Sequence, residues 1–301
     1  MFDRVKQAHL PDALVVRHRR NNQITKAAWD LFADHRARVT ALALEPGGAS
    51  LAILGAGNCN DVDLTALAAQ FREIHLADID EGALQRARAR QPPAVAATLS
   101  LHAPVDVSGA LTRLTELRDT PPTQRQLDAL AQSGCEAVRA AFPRTFDVVL
   151  SACVLSQLMH TCEAALGAQH PMLEATARAV AVAHIRALVL SVTPGGTGIL
   201  VTDVVSSDTF PVEELLPAWG PMAVLEHLDT TKNVLSGTEV SFLRRCLNRD
   251  DVIAPLIEDV RVVPPWLWRL SDHVTLLTYA WVFKRRTLSS QIKSDDASPG
   301  S

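Results

Sequence analysis

The fold is decided by residues 50–61, which read SLAILGAGNCND. The continuous apolar run at 51–54 is typical of a strand buried on both faces of a parallel sheet. Gly55 and Gly57 let the backbone approach a ligand closely, and a helix beginning after them offers free N–H groups. The stretch therefore predicts a strand, a ligand-binding turn and a helix. The alternative is a tight strand-to-helix turn in which Asn60 or Asp61 caps the helix.

Strand and helix patterns alternate along the chain that follows. The strands predicted after the first lie at 73–78, 95–101, 146–150, 198–205, 260–263 and 276–283. The predicted helices lie at 62–71, from Asp80 onward, within 111–142 and at 172–192, and a turn is expected at 194–196. The segment 264–275 is too short for a crossover helix, so the last strand is expected to be antiparallel and to lie beside strand five. The predicted fold is α/β, a doubly wound, mostly parallel seven-stranded sheet with an antiparallel last strand.

Three additions to this sheet are predicted. Residues 1–47 have apolar residues at helical spacing and are expected to form an N-terminal helical cap. The main α/β domain then covers 48–286, and residues 208–258 form a helical insertion between strands five and six. The polar residues 287–301 are expected to be a disordered tail.

Composition narrows the class of protein. The chain has 301 residues, 48% hydrophobic and 21% charged, with a net charge of −4, so no general excess of positive charge favours nucleic acid. The five cysteines are odd in number and show no metal-binding spacing, which predicts reduced thiols, a cytoplasmic protein and no metal. The longest apolar stretch, 175–192, contains charged residues and is read as a helix of the globular fold, so no membrane partner is expected.

An acidic residue follows the second strand at the distance that a nucleotide site requires. Asp78 lies about 20 residues beyond the glycines, where a carboxylate accepts hydrogen bonds from ribose hydroxyls. Its alternative role is a helix cap, and Asp80 is expected to cap the next helix. A dinucleotide-binding loop would have a third glycine where Asn60 stands.

Taken in order, these motifs resemble the class I S-adenosylmethionine-dependent methyltransferases over about residues 48–285. Gly55 and Gly57 resemble that family's glycine loop, Asp78 its ribose-binding acid, and Asp106 the acid that meets the adenine amino group. Three further features resemble the family: the segment 146–151, the turn at 194–196, and the terminal hairpin formed by the last two predicted strands, 260–263 and 276–283. The family usually has an acid where this chain has Ile53 and a glycine where it has Cys59.

The resemblance implies S-adenosyl-L-methionine as cofactor. Asp61 could replace the missing acid, although it could equally cap a helix. The residues expected to bind the cofactor are Gly55, Gly57, Asn58, Asp61, Asp78, Ile79, Asp106, Val107 and Ser151.

Residues for the chemistry are sought after strands four, five and six, where ligands bind in such sheets. His160 and Asp203 are candidate catalytic bases. The candidate substrate contacts are Ser156, Gln157, Trp266 and Trp268. Each has a structural alternative: a surface histidine, a helix cap, or tryptophans that only pack.

The sequence therefore favours an enzyme that transfers a methyl group from S-adenosylmethionine to the nitrogen or oxygen of a small polar acceptor. The N-terminal helices and the insertion are expected to cover the site. Two alternatives stay open: a nicotinamide-dependent oxidoreductase, which shares the glycine loop and the ribose acid, and a non-catalytic protein that senses the cofactor or acts as a scaffold. The sequence fixes no oligomeric state.

Overall fold

A computed structural model describes residues 12–118, 120–142 and 144–287. These residues form a seven-stranded sheet in the order β3-β2-β1-β4-β5-β7-β6. The strands are β1 Ser50–Leu54, β2 Glu73–Ala77, β3 Leu99–His102, β4 Phe146–Ala152, β5 Val192–Ser206, β6 Ile257–Arg269 and β7 Thr275–Arg285. Strands β1 to β5 are parallel, whereas β7 lies between β5 and β6 and is antiparallel to both. The predicted antiparallel last strand beside strand five is confirmed.

Helices cover both faces of this sheet. They are α1 Asp12–Thr25, α2 Ala33–Leu44, α3 Leu64–Gln70, α4 Glu81–Ala89, α5 Pro93–Ala96, α6 Leu111–Glu116, α7 Gln124–Ala141, α8 Val154–Leu166, α9 Leu173–Ser191, α10 Val212–Trp219, α11 Pro221–Thr231 and α12 Val240–Arg249, followed by a 3₁₀ turn at Ala254–Leu256. Helices α10 to α12 lie in the segment predicted to be a helical insertion. No helix in the described part of the chain is long and apolar enough to cross a membrane.

Two hydrophobic cores lie on opposite faces of the sheet. One contains buried side chains of α7, α8 and α9, such as Leu130, Leu155 and Leu188. The other contains Val39 of α2 and Leu67 of α3. Every residue of β1 is buried, which explains its continuous apolar sequence. Helix α2 shares its core with the sheet, and the proposed division at residue 47 stays a prediction.

Three predicted boundaries are wrong, each for a local reason. Pro93 starts the short helix α5, because proline suits the first turn of a helix, so β3 begins only at Leu99. The expected turn at 194–196 lies inside β5, as a bulge between the pairs Phe146–Val192 and Val148–Thr197. Strand β6 continues through Pro264 and Pro265, because an edge strand tolerates residues without an N–H group.

The described residues leave out both ends of the chain. Within the predicted N-terminal cap, α1 and α2 are helical as expected, and residues 1–11 lie outside the described residues. The predicted disordered tail also lies outside them, apart from residue 287.

Candidate functional site

The glycine loop joins β1 to α3 at the carboxyl edge of the sheet. Gly55 and Gly57 have φ angles of +69° and +50°, in the region that glycine adopts without steric cost. Cys59 has a φ angle of +51°, in the left-handed region that favours glycine. Helix α3 is capped by Asp63, whose carboxylate accepts from two backbone N–H groups, and not by Asn60 or Asp61 as the alternative reading proposed.

Asp78 connects this loop to the end of β2. Its Oδ2 accepts a hydrogen bond from the Gly57 backbone N–H at 2.8 Å, and its Oδ1 accepts one from the Asp80 N–H at 2.8 Å. Burial raises the pKa of Asp78 to about 6. The carboxylate is therefore placed beside the glycine loop and is ionised at neutral pH. Asp80 makes no capping bond with its side chain; it accepts from Asn22 and lies 3.6 Å from Arg86.

Asp106 organises the loop after β3. Its Oδ1 accepts from the Ser108 N–H at 3.0 Å and from the Ser108 hydroxyl at 2.6 Å, and its Oδ2 accepts from the Leu111 N–H at 2.9 Å. These bonds fix the carboxylate at the start of α6. The helix therefore holds Asp106 on the same edge of the sheet as Asp78.

A single cavity brings both carboxylates together. Its volume is about 30 Å³, which is room for about one water molecule. It is lined by Gly55, Asp78, Ile79, Val105, Asp106, Val107, Leu111, Val154, Gln157 and Leu158, together with His18 and Asn22 of α1. The site thus combines two carboxylates with apolar walls, and α1 forms part of its lining. His18 and Asn22 have no motif around them, and sequence reasoning missed both.

Helix α1 is held in place by amide side chains of the glycine loop. Asn58 Nδ2 donates to the Asn22 carbonyl at 2.6 Å, and Asn60 Nδ2 donates to the Thr25 carbonyl at 2.6 Å. On the other side, the Oδ1 atoms of Asn58 and Asn60 accept from side chains of α4, Arg86 Nε at 3.1 Å and Arg90 Nη1 at 2.8 Å. Carbonyls in the last turn of a helix have no intrahelical partner, so these asparagines satisfy them. Asn58 therefore contacts α1 and does not line the cavity.

Two predicted residues form a polar pair after β4 and β5. The Ser156 hydroxyl donates to Asp203 Oδ1 at 2.6 Å, and burial raises the pKa of Asp203. Gln157, the next residue on α8, lines the cavity and donates from Nε2 to the Cys153 carbonyl at 3.3 Å. Of these three residues only Gln157 lines the cavity, and the roles predicted for them stay predictions.

Ser151 lies elsewhere. It is fully buried in β4, and its Oγ is 2.7 Å from His184 Nε2 of α9. The other nitrogen of His184 contacts the Val107 carbonyl at 3.2 Å, and burial lowers the pKa of this imidazole to about 4. Ser151 therefore supports the structure beneath the cavity and is not part of its lining.

The remaining predicted side chains, like those of Ser156 and Asp203, do not line the cavity. His160 is half exposed and lies 3.7 Å from Glu163. Trp266 and Trp268 are buried in the core on the α2 face and contact His35. Asp61 does not line the cavity, and its Oδ1 lies 3.3 Å from His35 Nε2. Among the described residues, no three His, Cys, Asp or Glu side chains group as a metal site requires.

The chain matches no protein family model and no curated relative. Among solved structures, an O-methyltransferase family protein from Burkholderia thailandensis is 12% identical over 92% of this chain, with a TM-score of 0.48, and this chain covers 62% of it, less than two thirds of its length. The O-methyltransferase TomG from Streptomyces achromogenes, solved with SAM, is 11% identical over 91% of each chain, with a TM-score of 0.43. CalS10, an amino pentose methyltransferase from Micromonospora echinaspora, is 21% identical over 65% of this chain and 58% of its own, with a TM-score of 0.29.

Because these TM-scores are below 0.5, the fold is assigned from the chain's own sheet. Its strand order, with the antiparallel β7 between β5 and β6, decides the assignment. The chain has the class I methyltransferase fold. In this fold the glycine loop, Asp78 and Asp106 stand at the carboxyl edge of β1, β2 and β3, where ligands bind in open α/β sheets.

Proposed function

We propose that the protein binds S-adenosylmethionine at the carboxyl edge of β1, β2 and β3 and transfers its methyl group to the nitrogen or oxygen of a small polar acceptor. The observation that supports this proposal is one cavity, beside Gly55, into which both Asp78 and Asp106 are placed. A nucleoside has an apolar base and a polar ribose, so it needs apolar walls and hydrogen-bond acceptors together.

The lining residues suit the nucleoside part of the cofactor. Ile79, Val107 and Leu158 supply apolar surface for a base, and the Asp78 carboxylate can accept from ribose hydroxyls. The present volume of about 30 Å³ is far below the roughly 300 Å³ of a small-molecule site. The cofactor therefore requires His18 and Asn22 to leave the positions that they occupy here.

The cofactor supplies an activated methyl group, and the chain has to position the acceptor and take up a proton. The pair of Ser156 and Asp203 is the best-placed group for the proton. A carboxylate whose pKa is raised by burial holds a proton more readily than an exposed one. His160 is the weaker candidate, because it is half exposed and lies 3.7 Å from Glu163.

The two alternatives differ from this proposal in what they bind and do. An oxidoreductase of the dinucleotide-binding type would have a third glycine in the loop, where Asn60 instead binds the Thr25 carbonyl. A sensor or scaffold would bind the cofactor without turnover. The antiparallel β7 favours the methyltransferase over the oxidoreductase, and only an assay of turnover separates an enzyme from a sensor.

Calorimetry with adenosylhomocysteine and with NAD tests the cofactor. We expect binding of adenosylhomocysteine and no binding of NAD, and the reverse result would revive the oxidoreductase. The formation of adenosylhomocysteine from S-adenosylmethionine, measured across a panel of small amines, phenols and carboxylates, tests catalysis. Binding without turnover on any of them would favour the sensor, and strong, salt-sensitive binding to nucleic acid would contradict a small acceptor.

A further inference from the structure

We propose that Arg90, the residue that follows α4, is a positioning residue: it holds the glycine loop in its ligand-binding shape and so compensates for a residue other than glycine at position 59. The inference rests on the proposed function, because it assumes that this loop binds the cofactor. It follows from the contacts of the two asparagines on either side of Cys59, which the sequence does not reveal.

Cys59 lies in a backbone conformation that a side chain disfavours. Its φ angle is +51°, where the Cβ atom of an L-residue crowds the backbone and glycine has no such atom. The Cys59 N–H donates to the Ala56 carbonyl at 2.8 Å, which closes the turn on one side. A conformation of this kind persists only where the surrounding contacts hold it. The contacts of the neighbouring residues, Asn58 and Asn60, therefore decide whether the loop keeps its shape.

Guanidinium groups bind all four acceptor oxygens of these two asparagines. Arg90 donates from Nη2 to the Asn58 carbonyl, and from Nη1 to Asn60 Oδ1 at 2.8 Å. Arg86 donates from Nε to Asn58 Oδ1 at 3.1 Å. Arg36 donates from Nη1 to the Asn60 carbonyl at 3.2 Å. Of the three arginines, Arg90 is the one that contacts both asparagines, so it bridges the residue between them.

The geometry of a guanidinium suits this bridging position. The group is planar and its N–H bonds point in fixed directions, so two bonds from one group set the distance between their acceptors. The Trp29 indole supports the group from the side of α1: Arg90 Cζ lies 5.1 Å from the ring centroid, and Arg36 Cζ lies 3.5 Å from it. Arg90 is therefore held on the loop by two hydrogen bonds and an aromatic ring.

The shape of the loop determines two parts of the cavity lining. The Gly57 N–H donates to Asp78 Oδ2 at 2.8 Å, and Asp78 lines the cavity. The amide nitrogens of both asparagines donate to carbonyls of α1, the helix that contributes Asn22 to the lining. Arg90 does not line the cavity itself. A loop that lost its shape would displace lining groups on both sides, so Arg90 acts on the ligand through the asparagines.

Cys59 reports on the loop without any ligand. The residue is 2% exposed, and burial raises the pKa of its thiol, so in the ordered loop it should react slowly with iodoacetamide. Arg90→Met should raise its alkylation rate roughly tenfold or more, measured by mass spectrometry of the peptide that contains it. Cys162, fully buried in α8, is the internal control. A general loss of stability would raise both rates, whereas a loss of loop shape raises only that of Cys59.

Binding of adenosylhomocysteine to the full-length protein measures the effect on the site. Arg90→Met should weaken binding about tenfold or more, because charged hydrogen bonds that hold the loop are lost. Arg90→Lys keeps the charge but not the planar group, and it should give an intermediate loss. Arg88→Met is the matched control, because it removes the same charge from an exposed side chain of α4, and it should leave binding within about twofold.

The sharpest comparison repeats Arg90→Met in the Cys59→Gly background. Glycine adopts the loop conformation without support, so there the substitution should weaken binding by no more than about threefold. Such coupling separates compensation from a general structural role, which glycine would not relieve. An equal loss in both backgrounds, or alkylation of Cys59 and Cys162 that rises together, would overturn the inference alone. A wild-type protein that does not bind adenosylhomocysteine would overturn the proposed function, and the alkylation rates would still test the hold of Arg90 on the loop.

Discussion

Asp78 Oδ2 accepts a 2.8 Å hydrogen bond from the backbone N–H of Gly57, which ties the end of β2 to the glycine loop that follows β1. The same carboxylate lines the cavity. It therefore both shapes the loop and faces the cavity.

Asp78→Ala should weaken binding of adenosylhomocysteine by roughly 1–3 kcal/mol, because partner groups on the ligand and loop are left without an acceptor. Burial raises the pKa of Asp78 to about 6, so wild-type affinity should fall as the pH drops below about 6 and the carboxylate takes up its proton. Calorimetry from pH 5 to 8 measures both effects. Asp147→Ala is the control, since Asp147 accepts from the Ala49 and Ser50 N–H groups at the opposite edge of the sheet. Unchanged affinity in Asp78→Ala would contradict the site.

Cys59 should make the folded protein less stable than glycine would at this position, because its backbone has a positive φ angle. At a φ angle of +51°, a residue with a Cβ costs about 1–2 kcal/mol that glycine avoids. Cys59→Gly and Cys59→Ala both remove the buried thiol, so their difference isolates the backbone. We expect Cys59→Gly to be the more stable by about 1 kcal/mol in urea unfolding. Cys162 lies inside α8, where glycine weakens a helix. There the glycine variant should be less stable than the alanine variant. The same order at both positions would contradict the strained conformation.

Asp203 should matter for turnover and not for cofactor binding. Asp203→Asn keeps the shape of the side chain, removes its ability to take a proton, and should lower the methyl-transfer rate on the order of 100-fold. Affinity for adenosylhomocysteine should stay within about twofold. His160→Ala is the control and should leave the rate unchanged, because His160 is half exposed whereas Asp203 is partly buried beside Ser156. A large loss in His160→Ala with none in Asp203→Asn would exchange their proposed roles.

Stability should fall in acid because of His184. The folded chain keeps this imidazole neutral down to a pKa of about 4, whereas the ordinary pKa is 6.5. Between these values the unfolded chain binds more protons, so unfolding becomes easier as the pH drops. His184 should lower the free energy of unfolding by on the order of 2 kcal/mol between pH 7.5 and pH 5. His184→Gln should lose less stability over that range than the wild type or the exposed His160→Gln variant. Equal losses in all three would mean that His184 does not carry the effect.

The sequence predicts well where a local pattern has only one good structural solution. The apolar run of β1, the glycines after it and the short connection before β7 are of this kind, because burial and connection length restrict the chain locally. It predicts poorly where the structure depends on distant partners. Trp266 and His35 are 231 residues apart and meet only because β6 and α2 pack on one face. Proline at 264–265 suggests a strand end, and only its place on the sheet edge makes it tolerable.

The same distinction between local patterns and distant partners decides which site residues the sequence predicts. Asp78 and Asp106 follow strands, and strand ends meet at one edge, so their shared cavity is predictable. Ser151 also lies near the end of a strand, but its side chain contacts His184 of α9 and not the cavity. When every residue of a strand is buried, the sequence pattern does not show which face of the sheet a given side chain points to. His18 and Asn22 have no motif at all, because the surface that α1 covers is set by the loop amides.

The position of α1 beside the cavity bears on the affinity for the cofactor. The cavity has a volume of only about 30 Å³, so if His18 and Asn22 have to move before a nucleoside enters, binding draws only on the molecules in which they have moved. If closed molecules outnumber open ones a hundredfold, the measured Kd is about a hundred times the intrinsic value. Arg86 and Arg90 hold the asparagines that hold α1, so changes on α4 would shift this equilibrium. A residue that never touches the cofactor can thus set the concentration at which the protein responds to it.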